Sequence, residues 1–375
     1  MFIKKSSKRK FLFILNTDKF LLSHRIEIAN SLIKNNYEVH LGSELSDSST
    51  ELKALGIKAH KIYINRTKTG ILDLIRTTFS IYRLINRIKP DVVHFISIKP
   101  VLLGCLALKF YKNKIKIITS ITGLGYIFVA KGILANLKRF ATCLLYKIAL
   151  SNNQINVIFQ NKSDKDFIRN LCNLSTKKIF LIEGSGVDLN KFKPIENKFE
   201  NNIVILPARI VESKGILEFI KAAEILKGKA KFILCGNYDY EAKDFISESI
   251  INKWVRNSVI EYIGYKKDIE KLFQISSIIV LPSYREGFPK VLCEAAACGI
   301  PVITTNVPGC RDAIRNKVTG LLVPPKRVQE LSQKILYLLG NQTILKKMSS
   351  ASRKMAVEKF DINYVVKKHL EIYKI

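Results

Sequence analysis

Two carboxylates, Glu286 and Glu294, stand eight positions apart in the segment Tyr284-Arg285-Glu286-Gly287-Phe288-Pro289-Lys290-Val291-Leu292-Cys293-Glu294. The apolar run at 278–281 reads as a buried strand before them, and Pro289 followed by an Ala-rich stretch predicts a helix that Gly299 stops. The start of that helix presents free N–H groups and the positive end of its dipole, which suits a phosphate or pyrophosphate. A ligand anchored there lies beside both carboxylates. Glu286, in the loop, can touch what lies beyond the phosphate; Glu294, one turn into the helix, can accept hydrogen bonds from hydroxyls on the other side. That arrangement suits a sugar nucleotide. Arg209 ends another buried-looking strand, where a bidentate guanidinium fits phosphate oxygens, and Lys214 follows it. For each of these four the ordinary alternative is a solvated surface charge.

The elements that must position them follow from the pattern of short β-branched runs alternating with helical stretches, the signature of parallel sheets built from βαβ units. Strands are expected at 11–15, 37–41, 92–96, 115–120, 157–160 and 179–183, and again at 203–207, 231–235, 259–263, 278–281, 302–304 and 320–323. Between the two sets lies Gly184-Ser185-Gly186-Val187-Asp188, a stretch that can bend. A chain of 375 residues suits two domains better than one core. The expectation is an α/β protein of two doubly wound domains, with strand ends facing across a cleft where such sheets bind ligands. The seven cysteines are scattered without metal spacing and read as reduced thiols of a cytosolic compartment. Lys4, Lys5, Lys8, Arg9 and Lys10 before Phe11-Leu12-Phe13-Ile14-Leu15 imitate a signal peptide, but the apolar run is too short and reads as the first strand. No stretch is long enough for a membrane span.

The pattern E-x7-E with Gly287-Phe288-Pro289, then Ala297-Cys298-Gly299-Ile300-Pro301-Val302-Ile303, resembles the retaining glycosyltransferases of family 4, which have the two-domain GT-B fold. Pro207-Ala208-Arg209 with Lys214-Gly215, Gly186-Val187-Asp188 with Phe192 and Pro194, Gly236, Ile263-Gly264, and Gly309-Cys310-Arg311-Asp312 through Thr319-Gly320-Leu321-Leu322 resemble further segments of that family. The resemblance implies a GT-B fold of two Rossmann-like domains. Residues 1–185 would bind the acceptor, residues 186–357 the nucleotide sugar, and a last helix at about 358–375 would pack back on the first domain. It assigns Arg209 and Lys214 to the donor diphosphate and Glu294 to the ribose hydroxyls. Glu286 would meet the transferred sugar together with the Gly287, Phe288 and Pro289 amides. Val291 and Leu292 would line the donor at the helix start, and Ile263 with Gly264 would lie near the nucleoside. The implied reaction is same-face attack by an acceptor hydroxyl, the departing phosphate taking the proton, with no protein nucleophile and no cofactor. Metal is not required, because cations and a helix start can stabilise the diphosphate. Asp164-Lys165-Asp166 matches a metal-binding DxD only formally and reads as an N-cap region with acids in the first helical turn.

The acceptor half departs from the family. The loop after the first strand, 16–25, lacks glycines, and the segment Thr119-Ser120-Ile121-Thr122-Gly123-Leu124-Gly125 lacks the family's His. A T-G-L-G segment resembles the subgroup that builds lipid-linked oligosaccharide, capsule and lipopolysaccharide. Gly123 and Gly125 let a substrate approach the backbone. His24 and His94 are acceptor-side candidates, with structural histidines as the alternative.

The formal charge of +31 is unevenly spread, with no acidic residue between Asp91 and Asp164. Such a surface can serve nucleic acid, anionic lipid or a diphosphate-bearing acceptor. No RNP, zinc-finger or helix-turn-helix signature supports nucleic acid. In 71–88, Ile71, Leu74, Ile75, Thr78, Tyr82, Ile85 and Ile88 share one helical face and Arg76, Arg83 and Arg87 another. The run 131–147 repeats this, with apolar residues from Ile133 to Ile148 opposite Lys131 and Lys138. The expectation is peripheral attachment to the inner face of the cytoplasmic membrane through the cationic stripe. The function expected is transfer of a UDP-hexose or UDP-N-acetylhexosamine sugar to a polyprenyl-diphosphate-linked or other envelope-glycan acceptor. The alternative is a GT-B enzyme of soluble sugar or glucan metabolism.

Overall fold

A computed structural model describes residues 8–375 except 47, 66, 67, 69, 129, 131, 153 and 196–200; Lys4, Lys5 and Lys131 lie outside the described residues. The chain divides into two compact units, Met1–Ile182 with Val365–Ile375, and Glu183–Tyr364.

The first unit holds β1 (Lys10–Thr17), β2 (Glu38–Glu44), β3 (Lys58–Lys61), β4 (Val92–Ile96), β5 (Lys116–Ile121), β6 (Asn156–Phe159) and β7 (Ile179–Leu181). They form one parallel sheet in the order β3-β2-β1-β4-β5-β6-β7. Helices cover both faces, so the inner strands are apolar on both sides and read as continuous runs. In β1, Leu12 and Ile14 enter one apolar cluster while Phe11, Phe13 and Leu15 enter the other, as the two-residue pleat requires. The helix Ile362–Tyr373 completes the second cluster with Val365, Ile372 and Tyr373. The helices Ile71–Ile88, Ile98–Leu108 and Ile133–Ala149 share the other face, and the middle one packs against both neighbours. The stripe expected to be one apolar face of 71–88 is split: Ile85 and Ile88 are buried, whereas Ile71 and Ile75 are exposed.

The second unit holds β8 (Ile203–Pro207), β9 (Lys231–Cys235), β10 (Glu261–Tyr262), β11 (Ile278–Leu281), β12 (Val302–Thr305) and β13 (Gly320–Val323), all parallel, in the order β10-β9-β8-β11-β12-β13. This is the doubly wound order in which the sequence of strands reverses between the first and fourth, here between β8 and β11. Val204 and Leu206 point to one core and Ile203 and Ile205 to the other.

All twelve strands expected from the sequence are present, though β10 pairs over only two residues at the sheet edge. The strand missing from the expectation is β3. It is an edge strand, Lys58-Ala59-His60-Lys61, whose terminal lysines are exposed, and it carries no apolar run to announce it.

Candidate active site

Because every strand of the second sheet runs the same way, the loops after β8, β9, β10, β11 and β12 all emerge at its carboxyl edge. The donor-side residues expected from the sequence sit in these loops. Lys214 comes from the turn after β8 and Glu286 from the loop after β11, so the two flank the point where the strand order reverses. Their side chains form an ion pair, Nζ to Oε1, and both are largely buried. The loops are joined by backbone as well: the Tyr284 amide donates to the Ser213 carbonyl at 2.9 Å. Gly215, at φ +72, lies so close to the Pro282 carbonyl that a Cβ has no room. Tyr284 is fixed in turn by donating its hydroxyl to Glu218 Oε1 at 2.7 Å, and the Lys326 ammonium stands 4.6 Å from its ring centre.

Past Glu286 the chain enters the helix Lys290–Ala297, with Pro289 at the N-cap and no side chain capping it. The proline thus sits one position earlier than a first-turn proline, and Gly299, at φ +63, ends the helix. Phe288, Pro289 and Leu292 are buried and Gly287 and Val291 half-buried at this junction. Glu294 lies in the fifth helical position and is 9% exposed. Burial pushes its carboxyl above the ordinary range, and Lys290, whose Nζ is 3.3 Å from Oε1, pulls it back. Lys191 adds to that pull and is itself 3.4 Å from Glu270. The loop of Glu286 is braced by Gly309: at φ +81, a Cβ there would come within 2.5 Å of the Glu286 carbonyl oxygen and 2.6 Å of that of Gly287.

Arg209 follows β8 and pairs with Asp239, in the loop after the neighbouring β9. This half-exposed guanidinium is held where the backbones of the two loops also meet, Ile210 N donating to Asn237 O at 2.9 Å. Asp239 was not expected from the sequence. Lying four residues past β9, it carries no signal of its own, because its pairing with Arg209 follows only from β8 and β9 being neighbours in the sheet. Gly264, φ +64, accepts from the Gly236 amide at 2.9 Å and the Cys235 thiol at 3.2 Å, and Ile263 N donates to Leu234 O at 3.1 Å. These contacts tie the loops after β9 and β10 together.

In the first unit, His24 ends the helix Asp18–His24, its ring stacked on Phe20 at 4.3 Å and its Nδ1 2.7 Å from Ser23 Oγ. Gly123, φ +141, and Gly125, φ +71, occupy the loop after β5. His94 is wholly buried in β4, with Nε2 2.7 Å from Ser120 Oγ and Nδ1 2.8 Å from the Tyr373 hydroxyl. That placement favours the structural alternative for His94, since both ring nitrogens are engaged inside the core. Asp164 is likewise buried: its amide donates to the capping side chain of Asn161 at 2.8 Å, and Asn161 Nδ2 donates to its Oδ2 at 2.9 Å. The cap is therefore Asn161, and Asp164 serves the cap. Among the described residues no group of three or more His, Cys, Asp or Glu side chains is placed to hold a metal ion, and all seven cysteines are free thiols.

Residues 188–355 match the family described as Glycosyl transferases group 1, and residues 10–161 match Glycosyl transferase 4-like. The chain is 29% identical over 374 residues to the N,N'-diacetylbacillosaminyl-diphospho-undecaprenol alpha-1,3-N-acetylgalactosaminyltransferase of Campylobacter jejuni, covering 96% of this chain and 97% of that one. It is 28% identical to the capsular polysaccharide biosynthesis glycosyltransferase CapM of Staphylococcus aureus, covering 88% and 87%. Among solved structures, sucrose-phosphate synthase from Thermosynechococcus elongatus superposes with a TM-score of 0.82 at 17% identity, covering 98% of each chain.

Proposed function

Because the chain belongs to the glycosyltransferases, with a group 1 domain in its second unit and a family 4-like domain in its first, we propose that it transfers a hexose or N-acetylhexosamine with retention from a UDP-sugar to a polyprenyl-diphosphate-linked acceptor. The observation that carries the donor half is the meeting of Lys214 and Glu286 where the order of the second sheet reverses, beside the start of the helix Lys290–Ala297. Lys214 and Arg209 offset charge on the departing diphosphate, and the backbone amides at the helix start add fixed dipoles. Glu294, buried and paired with Lys290, accepts from the ribose hydroxyls; Glu286 accepts from the sugar being moved. In the transfer the acceptor oxygen forms a bond to the anomeric carbon as its bond to the diphosphate oxygen breaks, on the same face. The acceptor proton passes to the departing phosphate. What the protein supplies is position and charge, with no covalent intermediate on a side chain.

The acceptor class rests on the Campylobacter relative, whose likeness runs the length of both chains. Likeness to sucrose-phosphate synthase is one of fold, and so leaves the soluble-sugar alternative with no support of its own. Among the described residues no helix is long and apolar enough to cross a membrane. A lipid-linked acceptor then implies peripheral attachment, on the cytoplasmic face where nucleotide sugars are available. The test is a panel of UDP- and GDP-sugars offered with a polyprenyl-diphosphate saccharide and, separately, with fructose 6-phosphate and a glucan, products being read by mass spectrometry. Transfer confined to the lipid-linked acceptor supports the proposal; transfer to the soluble sugars alone replaces it with the alternative.

A further inference from the structure

The helix Ile133–Ala149 is turned the opposite way from an ordinary surface helix. Its buried side carries Tyr146 and Ala149, while Ile133 (88% exposed), Leu134, Leu137 and Phe140 (70% exposed) face outward. At about 100° per residue, Ile133, Leu137, Phe140 and Leu144 fall within a stripe about 60° wide; Leu134 widens the apolar face to about 120°, with Lys138 beyond Leu134 and Lys147 beyond Phe140. The helix Ile71–Ile88 repeats the arrangement in its first turns. Ile71 (77% exposed), Leu72, Ile75 and Phe79 are exposed, and Arg76, Arg83 and Arg87 run alongside them within about 60°. Arg83 lies 5.7 Å from the centre of the Phe79 ring, so cation and apolar surface are one continuous strip.

The two strips share one end of the first unit. In a parallel sheet each crossover helix runs against its strands, so the starts of both helices lie at the carboxyl edge. The loop of Gly123 and Gly125 leaves β5 at that same edge and precedes the helix Ile133–Ala149 in the chain. No acidic residue lies between Asp91 and Asp164 to oppose an anionic partner. The one acid of the helix Ile71–Ile88, Asp73, accepts from the Tyr63 hydroxyl.

We infer that these two strips are a single membrane-docking surface, in which the apolar side chains enter the headgroup–acyl boundary of an anionic bilayer and the flanking cations meet its phosphates. The inference rests on the lipid-linked acceptor proposed above and adds its geometry: the bilayer lies against the edge that carries the Gly123–Gly125 loop, so the acceptor's head group is delivered from the lipid side. It also replaces the cationic stripe as sole contact. Attraction through Arg76, Arg83 and Arg87 alone fades with salt, whereas insertion of exposed Leu and Phe does not.

The test is flotation of the full chain with vesicles of phosphatidylcholine alone or mixed with phosphatidylglycerol, at low salt and at about 0.5 M salt, where the Debye length is about 4 Å. The protein should float with the anionic vesicles and keep a measurable fraction of that binding at high salt. Leu134→Ser, Leu137→Ser and Phe140→Ser together should lower vesicle partitioning at least about tenfold and abolish the salt-resistant part. Arg76→Glu with Arg83→Glu should remove mainly the salt-sensitive part. All these residues are exposed, and unchanged hydrolysis of a soluble UDP-sugar would confirm that each variant folds. Vesicle binding by the triple-serine variant equal to that of the parent would overturn the inference. So would a parent dimer that the same variant splits while vesicle binding persists, which would assign the strips to a second copy. Absence of vesicle binding alongside intact sugar transfer to a detergent-dispersed acceptor would defeat the docking surface alone. Vesicle binding with no transfer from any nucleotide sugar would defeat the functional reading alone.

Discussion

Lys214 and Glu286, 72 residues apart in the chain, are joined by an ion pair that bridges the loops following two neighbouring strands, β8 and β11. The carboxylate therefore shares its charge with the cation expected to meet the donor diphosphate. Glu286→Gln should lower turnover by roughly 2 to 4 kcal/mol of transition-state stabilisation. At the same time it should leave Lys214 fully available, so the affinity for UDP should rise. Steady-state turnover together with calorimetric UDP titration reads both. A parallel fall in UDP affinity would place Glu286 in the diphosphate cradle instead.

Glu294 should divide the two parameters the other way. Its carboxylate is buried at a cost that Lys290 offsets, and hydroxyl donors from a ribose would offset it further. Glu294→Ala should therefore raise the KM for donor strongly, by roughly 2 to 4 kcal/mol in binding, with a smaller effect on kcat. Near-normal rates at limiting donor would remove Glu294 from the site.

Arg209 is held by Asp239, and its removal should reduce kcat/KM by about a hundredfold or more, the scale of losing one preorganised charge-stabilising donor. Asp239→Asn should cost less, because the guanidinium keeps its charge and loses only an orienting partner. Activity should persist in excess chelator. Loss in chelator that Mn²⁺ or Mg²⁺ restores would show that a metal carries the diphosphate.

Gly309→Ala should injure the site through the backbone. The left-handed conformation disfavours a side chain, and the new methyl meets the carbonyls of Glu286 and Gly287. A drop in donor affinity and turnover, with a melting temperature lower by a few degrees, is expected. Wild-type kinetics in this variant would show that the loop carrying Glu286 can yield without consequence.

The buried histidines of the first unit make its stability depend on pH. Burial first, then His369 and Arg25, hold the His94 imidazole well below its ordinary value of 6.5; burial and then Arg25 hold His369 at about 3. Both values are lowered on folding, so the unfolded chain binds the extra protons. The stability the pair contributes is complete above pH 6.5 and is lost as pH falls from there towards about 3. At pH about 5.5 the loss for His369 is about 1.4 kcal/mol, and His94 adds to it in the same direction. Urea unfolding at pH 7.5 and 5.5 should show it, and His369→Gln should diminish the difference. An unchanged pH dependence in that variant would show that other groups carry the effect.

The strands were legible because a parallel strand covered on both faces must be apolar at nearly every position, as Phe11 to Leu15 are. The edge strand β3 escaped because Lys58 and Lys61 face water. Glu286 and Glu294 could be proposed from the sequence because their placement depends on one local strand-to-helix turn. Asp239 could not be assigned in the same way, since its partnership with Arg209 depends on β8 and β9 being neighbours, a fact of topology. Periodicity at 133–148 gave a correct apolar stripe and no information on whether it faced the core or water. Only the burial of Tyr146 and Ala149 on the other side decides that.

The helix Ile362–Tyr373 gives the first unit an unusual birth order. The Tyr373 ring lies against Phe11 of β1, with ring centres 4.9 Å apart and planes tilted by 55°, and its hydroxyl shares a hydrogen bond with His94 Nδ1 of β4. The opening strand of the chain therefore acquires its last neighbours only after residues 183–364 have left the ribosome. At ordinary elongation rates that interval is roughly 10 to 35 s. Throughout it the face of the first sheet that Val365, Ile372 and Tyr373 cover lacks that cover, while the second unit emerges with all its strands in one uninterrupted segment.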